Sequence, residues 1–303
     1  MSTPYISFIV PVMNEEENVA QLHAEIVAAA KKINKPFEII FIDDGSSDNT
    51  SAELQKLDPI TILRMRRNFG QTASMDAGIK AAQGEFLVTL DGDLQNDPAD
   101  VPQMLQKLLD EDLDVVCGWR KHRQDSWSKR FISQGARWLR SFLVSDGVHD
   151  SGCTLRVYRQ ECFEGVNLRG EMHRFIPAIL KWRGFQIGEM VTNHRARIHG
   201  TTKYNFKRTL KGFLDMLSLW FFQKYSARPL HFLGGIGILL AFGGVALLAW
   251  LFFARLVWGY SLSDRIWPLM AIFLILFGFQ MFVSGLIMDL VIQQKSDKNY
   301  FLK

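Results

Sequence analysis

The chain has 303 residues, 48% of them hydrophobic and 22% charged, an average that suits one large α/β domain with something appended. The average conceals a split: residues 229–254 and 266–288 contain no Asp, Glu, Lys or Arg, whereas the stretch before them is charged like a soluble protein, so a uniformly cytosolic chain is excluded. A formal net charge of +4 is too mild for a nucleic-acid binder, and three isolated cysteines without CxxC spacing exclude a disulfide scaffold and argue against a zinc site.

In chain order, residues 5–12 form a short apolar run, predicting a strand. A helix follows over residues 15–33, with Val19, Leu22, Ile26 and Val27 on one face. The opening residues lack the basic start and long apolar core of a secretory signal, so this part is expected in the cytosol. Residues 37–42 predict a second strand, then a turn-rich DDGSSDNT and a helix near residues 51–57. Strands at 60–65, 85–90 and 114–117 alternate with helices at 72–82 and 101–110. Near-continuous apolar strands separated by helices imply a parallel sheet covered on both faces. Ligands of such sheets bind at the carboxyl ends of the strands. There the sequence places Asn14 and Glu15, Asp43 and Asp44, Arg67 and Asn68, then Asp91 and Asp93.

The middle of the chain is basic: from Trp119 to Arg140 there are seven Lys or Arg against one acid, Asp125. Such a stretch is also what a solvated face, or attraction to anionic lipid, would show. Residues 209–225 carry Leu210, Phe213, Leu214, Leu217, Trp220 and Phe221 on one helical face; an ordinary core-facing helix would show the same stripe, but adjacency to a spanning segment favours a helix lying in a membrane interface. Residues 229–254 and 267–292 are each long enough to cross a hydrocarbon core of about 30 Å. Flanking basic residues lie mostly outside this hairpin, with only Arg255 and Arg265 in its connector. The positive-inside bias therefore predicts an inner-membrane protein with both termini and the N-terminal domain cytosolic. Two helices per chain are also compatible with a homo-oligomer.

The sharpest chemical signal is Asp91-Gly92-Asp93 at the end of an apolar strand. Two carboxylates so placed can hold Mg²⁺ or Mn²⁺ when substrate phosphates complete the shell. Alone, the same triplet also serves as a polar turn capping the next helix. His149, His194 and His199 have no metal spacing, and no GxxxxGK[ST] loop is present, which argues against an ATPase.

FIVPVMNEEEN, IIFIDDGSSDNT, RNFGQTASMDAGIKAAQGE and VTLDGDLQNDP, in this order, resemble a family 2 glycosyltransferase of the GT-A fold. GWR, RFISQGARW, HDSGCTLRVYR, GEMHRFIP and HRARIHGTTKY narrow the resemblance to the polyprenyl-phosphate glycosyltransferases. The resemblance implies a Rossmann-like, mostly parallel domain over residues 1–205, an interfacial helix over 206–228 and a membrane hairpin over 229–303. It implies transfer of one sugar from a nucleotide sugar, UDP-glucose being the expected kind, to a polyprenyl phosphate at the cytosolic face, with a lipid bilayer as partner and no nucleic acid. Pro11, Asn14, Glu15, Asp43, Asp44 and Asp91 would then line the nucleotide pocket. Asp91, Asp93 and Gln95 would hold the divalent cation. Asp150 would orient the acceptor, or alternatively cap its loop, while Arg120, Arg130 and Ser133 would hold the lipid phosphate. Arg120 and Arg130 would thereby share in catalysis with Asp150. Arg195, Arg197 and Lys203 would belong to a loop closing over the phosphates.

Two other readings fit parts of the pattern. Gln134 to Trp138 spell the QxxRW motif of processive polysaccharide synthases, but the motif precedes Asp150 instead of following it, and two spanning segments cannot build a polysaccharide channel. An inactive membrane-tethered interaction protein would be expected to have lost its DxD or phosphate-binding arginines, and both are intact.

Overall fold

The first strand reads ISFIVPV, and every residue of it is buried. A strand so short of polar alternation belongs in the middle of a sheet covered on both sides. The computed structural model describes residues 3–121, 147–195, 217, 220–221, 224–225, 229–259, 261 and 265–294. In it β1 (Ile6–Val12) lies centrally in a seven-stranded sheet ordered β3-β2-β1-β4-β6-β5-β7. The other strands are β2 (Phe37–Asp43), β3 (Thr61–Arg64), β4 (Phe86–Thr89), β5 (Val115–Trp119), β6 (Arg156–Arg159) and β7 (Ile187–Val191). All neighbours pair parallel except β6, which runs antiparallel to both β4 and β5. The sheet is therefore mixed and mostly parallel, as expected. The motif pattern did not announce β6 or β7, which are short and carry Arg156, Arg159 and Glu189 among their apolar residues.

Helices cover both faces. Helix α1 (Val19–Ile33) packs Val19, Leu22 and Ile26 on one face, with Met104, Leu105 and Leu108 of α4 (Val101–Asp110) in the same core cluster. On the other face, Met75 and Ile79 of α3 (Gln71–Ala81) share a cluster with Ile176 and Leu180 of α5 (Ile176–Trp182). A short helix α2 (Thr50–Leu54) follows β2. Helix α1 starts at Val19, later than the apolar spacing implies. Residues 15–18 instead make a turn in which the Glu15 carbonyl accepts the Asn18 and Val19 N–H groups at 2.9 and 3.2 Å. That turn keeps Asn14 and Glu15 at the carboxyl end of β1.

The chain separates into two units, Met1–Leu217 and Ser218–Lys303. In the second, α6 (Pro229–Trp258) and α7 (Trp267–Gln294) are long and apolar enough to cross a membrane, with mean hydropathies of 2.4 and 2.3 over their most apolar windows. They meet through small residues. A Cβ built on Gly237 would stand 2.5 Å from the Gly278 carbonyl oxygen, and one on Gly278 would stand 2.4 Å from that of Gly237. Only glycine allows backbones this close, the usual means of helix pairing in lipid. Trp220, Phe221, Lys224 and Tyr225 are helical, and Tyr225 packs on Phe232 with ring centroids 4.2 Å apart. The rest of the expected interfacial helix lies outside the described residues.

Candidate active site

The strand order creates the site. Strand β1 sends its chain to β2 and β3 on one side, while β4 joins on the other, so a crevice opens at the carboxyl ends of β1 and β4. Pro11 marks that opening. Ile9 still accepts the Leu90 N–H at 3.3 Å, and pairing of β1 with β4 stops there, so Pro11, two residues on, lacks an N–H where no ladder needs one.

Four loops converge on the crevice. After β1, Asn14 adopts a left-handed backbone (φ 55°) and binds the loop after β2: its N–H donates to Ser46 Oγ at 3.0 Å and its Oδ1 accepts the Ser47 N–H at 2.8 Å. Glu15 donates its N–H to Thr50 Oγ1 at 2.8 Å, and its carboxylate accepts Asn18 Nδ2 at 2.6 Å. After β2, Asp43 accepts the Ser46 N–H at 2.9 Å and the Ser51 hydroxyl. Burial pushes the Asp43 carboxyl up, but the Ser46 and Ser51 hydrogen bonds and the charge of Arg64 outweigh it and hold the group below the usual range.

Asp44 serves a structural purpose that the motif alone did not indicate. Its two oxygens accept the N–H groups of Phe69 and Gly70 at 2.8 and 2.9 Å, fixing the loop that leads into α3. Gly45, next to Asp44 in the chain, has φ +70°, and a Cβ there would lie 2.6 Å from the Arg67 carbonyl carbon. Only glycine fits this turn. The braced loop delivers Gln71, whose Nε2 donates to Asp91 Oδ1 at 2.6 Å. Gln71 belongs to the RNFGQ stretch but was not singled out from sequence; its position one residue into a loop-to-helix junction was the available signal.

After β4, Asp91, Asp93 and Gln95 lie in one tight turn. Leu94 has φ 60°, and Asp93 Oδ1 accepts the Gln95 N–H at 3.2 Å. Burial pushes the Asp91 carboxyl up to about 6, the charge of Asp93 adds to the push, and Thr154, Arg120 and Arg156 oppose it. This is a pair of carboxylates short of positive charge. No cluster of three or more His, Cys, Asp or Glu exists among the described residues. Asp91 and Asp93 offer oxygen donors of the kind a hard dication such as Mg²⁺ takes when substrate phosphates supply its other oxygens. A cation bound there would have to displace the proton on Asp91, so Mn²⁺ affinity should be flat above about pH 7 and fall by up to about tenfold per unit as pH drops below about 6. Titrating Mn²⁺ by electron paramagnetic resonance at several pH values tests this, and a flat profile would refute it.

At the end of β5, Arg120 donates Nε and Nη2 to the two oxygens of Asp150 at 2.7 and 2.9 Å. This bidentate pair occupies one edge of the guanidinium, leaving any phosphate contact to its other N–H groups. Beside it Trp119 stacks on His149 at 4.5 Å, and His149 Nδ1 meets Glu189 Oε2 at 2.6 Å. Arg156, 1% exposed, donates to the carbonyls of Ser151 at 2.6 Å and His173 at 3.1 Å. His173 Nδ1 in turn pairs with Thr72 Oγ1 at 2.6 Å. Sequence reasoning passed over Arg156; an arginine between Leu155 and Val157 in a buried strand was the signal.

The structure thus brings Pro11, Asn14, Glu15, Asp43, Asp44, Asp91, Asp93, Gln95, Arg120 and Asp150 to the strand ends. It does not bring the Arg195 guanidinium among them: that group is held by Glu25 and Asp97. Arg130, Ser133, Arg197 and Lys203 lie outside the described residues.

Comparison with known proteins agrees with this geometry. The model of glycosyl transferase family 2 matches residues 7–166, which contain the four loops. A dodecaprenyl-phosphate galacturonate synthase of Rhizobium johnstonii is 39% identical over 297 residues, covering 94% of this chain and 87% of the relative. An undecaprenyl-phosphate 4-deoxy-4-formamido-L-arabinose transferase of Proteus mirabilis is 30% identical over 93% of this chain and 86% of its own. Among solved structures, glucosyl-3-phosphoglycerate synthase of Mycobacterium tuberculosis with Mg²⁺ and uridine diphosphate is similar at a TM-score of 0.55, covering 72% of this chain and 79% of that one at 16% identity, a likeness of fold. With a family model over more than half its length and relatives over nearly all of it, the chain belongs to glycosyltransferase family 2.

Proposed function

We propose that the protein moves one sugar from a nucleotide-sugar donor to a polyprenyl phosphate at the cytosolic face of the inner membrane. The observation that carries this reading is the extent of the two curated relatives, both named for lipid-phosphate sugar transfer and both matching more than nine-tenths of the chain, too much to leave out the apolar hairpin as a whole. In the crevice, Asn14, Asp43 and the loop braced by Asp44 would shape the nucleotide pocket, with the donor diphosphate over Asp91 and Asp93. A Mg²⁺ or Mn²⁺ held by those two carboxylates would neutralise charge developing on the leaving diphosphate. The acceptor phosphate is already anionic, so its oxygen attacks the anomeric carbon with little need of a base. The new C–O bond forms as the bond to the diphosphate breaks, with inversion. Arg120 fixes Asp150 by its bidentate pair, and Asp150 orients the acceptor beside the crevice. Arg130, Ser133, Arg197 and Lys203 are proposed to bind its phosphate, as the motif resemblance implies.

UDP-glucose is the donor expected from the sequence, and the galacturonate named for the 39% identical relative makes a UDP-uronic acid the second candidate. A panel of radiolabelled nucleotide sugars with a short polyprenyl phosphate, read as label in the organic phase, tests both. Lipid-linked label from one donor supports the reading. Polymer in the aqueous phase, or no transfer from any donor, overturns it.

A further inference from the structure

We propose that Arg195 is a positioning residue that clasps the metal-binding turn to helix α1, and that it does not bind phosphate. The proposal rests on the reading of Asp91 and Asp93 as a divalent-cation site. Residues 192–195 leave β7 and run along the segment that follows Asp93. The Arg195 N–H donates to the Gln95 carbonyl at 3.0 Å, and Asn96 forms an antiparallel bridge with His194. The Asn193 N–H and Nδ2 donate to the two oxygens of Asp100 at 2.7 and 3.1 Å. Gln95 is thereby gripped from both ends of its backbone: its N–H by Asp93 Oδ1 at 3.2 Å and its carbonyl by Arg195.

The side chain locks this arrangement. Arg195 Nη1 contacts both oxygens of Glu25 on α1 at 2.8 and 2.9 Å, and Nη2 contacts Asp97 Oδ1 at 2.9 Å. Asp97 Oδ1 also accepts the Ala99 N–H at 3.0 Å, so the same atom that holds the arginine shapes the turn. One guanidinium, about one-third exposed, thus bridges carboxylates from two elements. A planar fork does this where a single ammonium cannot. Two carboxylates already neutralise Arg195, which leaves it little charge to offer a phosphate. Its effect is to fix the backbone that aims Asp93.

The experiment compares wild type with Arg195→Gln, Arg195→Lys, Asp97→Asn and the double variant Arg195→Gln/Asp97→Asn. Mn²⁺ affinity is read by electron paramagnetic resonance, alone and with UDP, well below each variant's melting temperature. Loss of an outer-shell support should weaken Mn²⁺ binding about tenfold in either single variant, and the double variant should be no worse than a single one. Arg195→Lys should recover only part of the affinity. A phosphate-binding Arg195 gives the opposite pattern: unchanged Mn²⁺ affinity, a raised acceptor KM in Arg195→Gln, and no defect in Asp97→Asn. That pattern overturns the proposal, as does a lowered melting temperature with unchanged Mn²⁺ affinity. If wild type binds no Mn²⁺ with or without UDP, the metal reading fails first, and the clasp as a support for it fails too.

Discussion

Asp93→Asn is expected to abolish sugar transfer, by about a thousandfold or more, while the protein still folds. The substitution is nearly isosteric, and the amide oxygen can still accept the Gln95 N–H that Asp93 Oδ1 accepts at 3.2 Å, so the turn should survive. What disappears is a negative charge that a divalent cation needs, and a defect of that size corresponds to about 4 kcal/mol of lost transition-state stabilisation. The same substitution removes the neighbouring charge that helps raise the Asp91 carboxyl. Asp91 should therefore titrate lower in the variant than in wild type, although the cation binds less well. Turnover with saturating Mn²⁺ and a melting curve in detergent separate the two effects. Wild-type turnover in this variant would refute the assignment of Asp93.

Much of this architecture is legible in the sequence because central parallel strands leave an unmistakable trace. A strand buried on both faces, such as β1 or β2, must be apolar nearly throughout, and the first polar residue after it marks the strand's carboxyl end. That reasoning locates Asn14, Asp43 and Asp91 without any structure. It fails for β6, whose RVYR carries two arginines. Arg159 lies beside the Phe86 ring and bonds the Leu113 carbonyl at 3.1 Å, whereas Arg156 is buried on backbone carbonyls. Neither arrangement is encoded in local periodicity. Helix α1 starts later than the apolar spacing implies because Glu15 to Asn18 have helix-compatible composition but make a turn held across the crevice by Ser46, Ser47 and Thr50. Arg195 shows the deeper limit. A basic residue in a basic stretch reads as a phosphate ligand, and nothing local reveals that carboxylates 170 and 98 positions away, Glu25 and Asp97, meet it. Motifs report which residues recur together, and they are silent on which charges neutralise one another.

Arg156→Met should lower stability by about 3 kcal/mol. Two forces compete at this position. Burying a guanidinium costs several kcal/mol, so replacing it with an apolar chain of similar length removes a penalty. Against that, Met leaves the Ser151 and His173 carbonyls without the charge-assisted donors they now have at 2.6 and 3.1 Å, each such bond being worth about 1.5–3 kcal/mol. Met also removes a positive charge that opposes the raised Asp91 carboxyl. The carbonyls should win, because both lie in segments that must turn sharply: one follows Asp150, the other leads into α5. In a unit of this size the loss should appear as a melting point lower by about 10 °C. A second consequence follows from the charge. With Arg156 gone, Asp91 should hold its proton to higher pH, so the fall in Mn²⁺ affinity should begin above the value of about 6 at which the wild-type carboxyl titrates. Arg156→Lys keeps the charge but cannot reach both carbonyls, and should lose stability without moving that pH profile. A Met variant that melts like wild type and binds Mn²⁺ with an unshifted profile would mean that the buried arginine supports neither the Ser151 turn nor the charged form of Asp91.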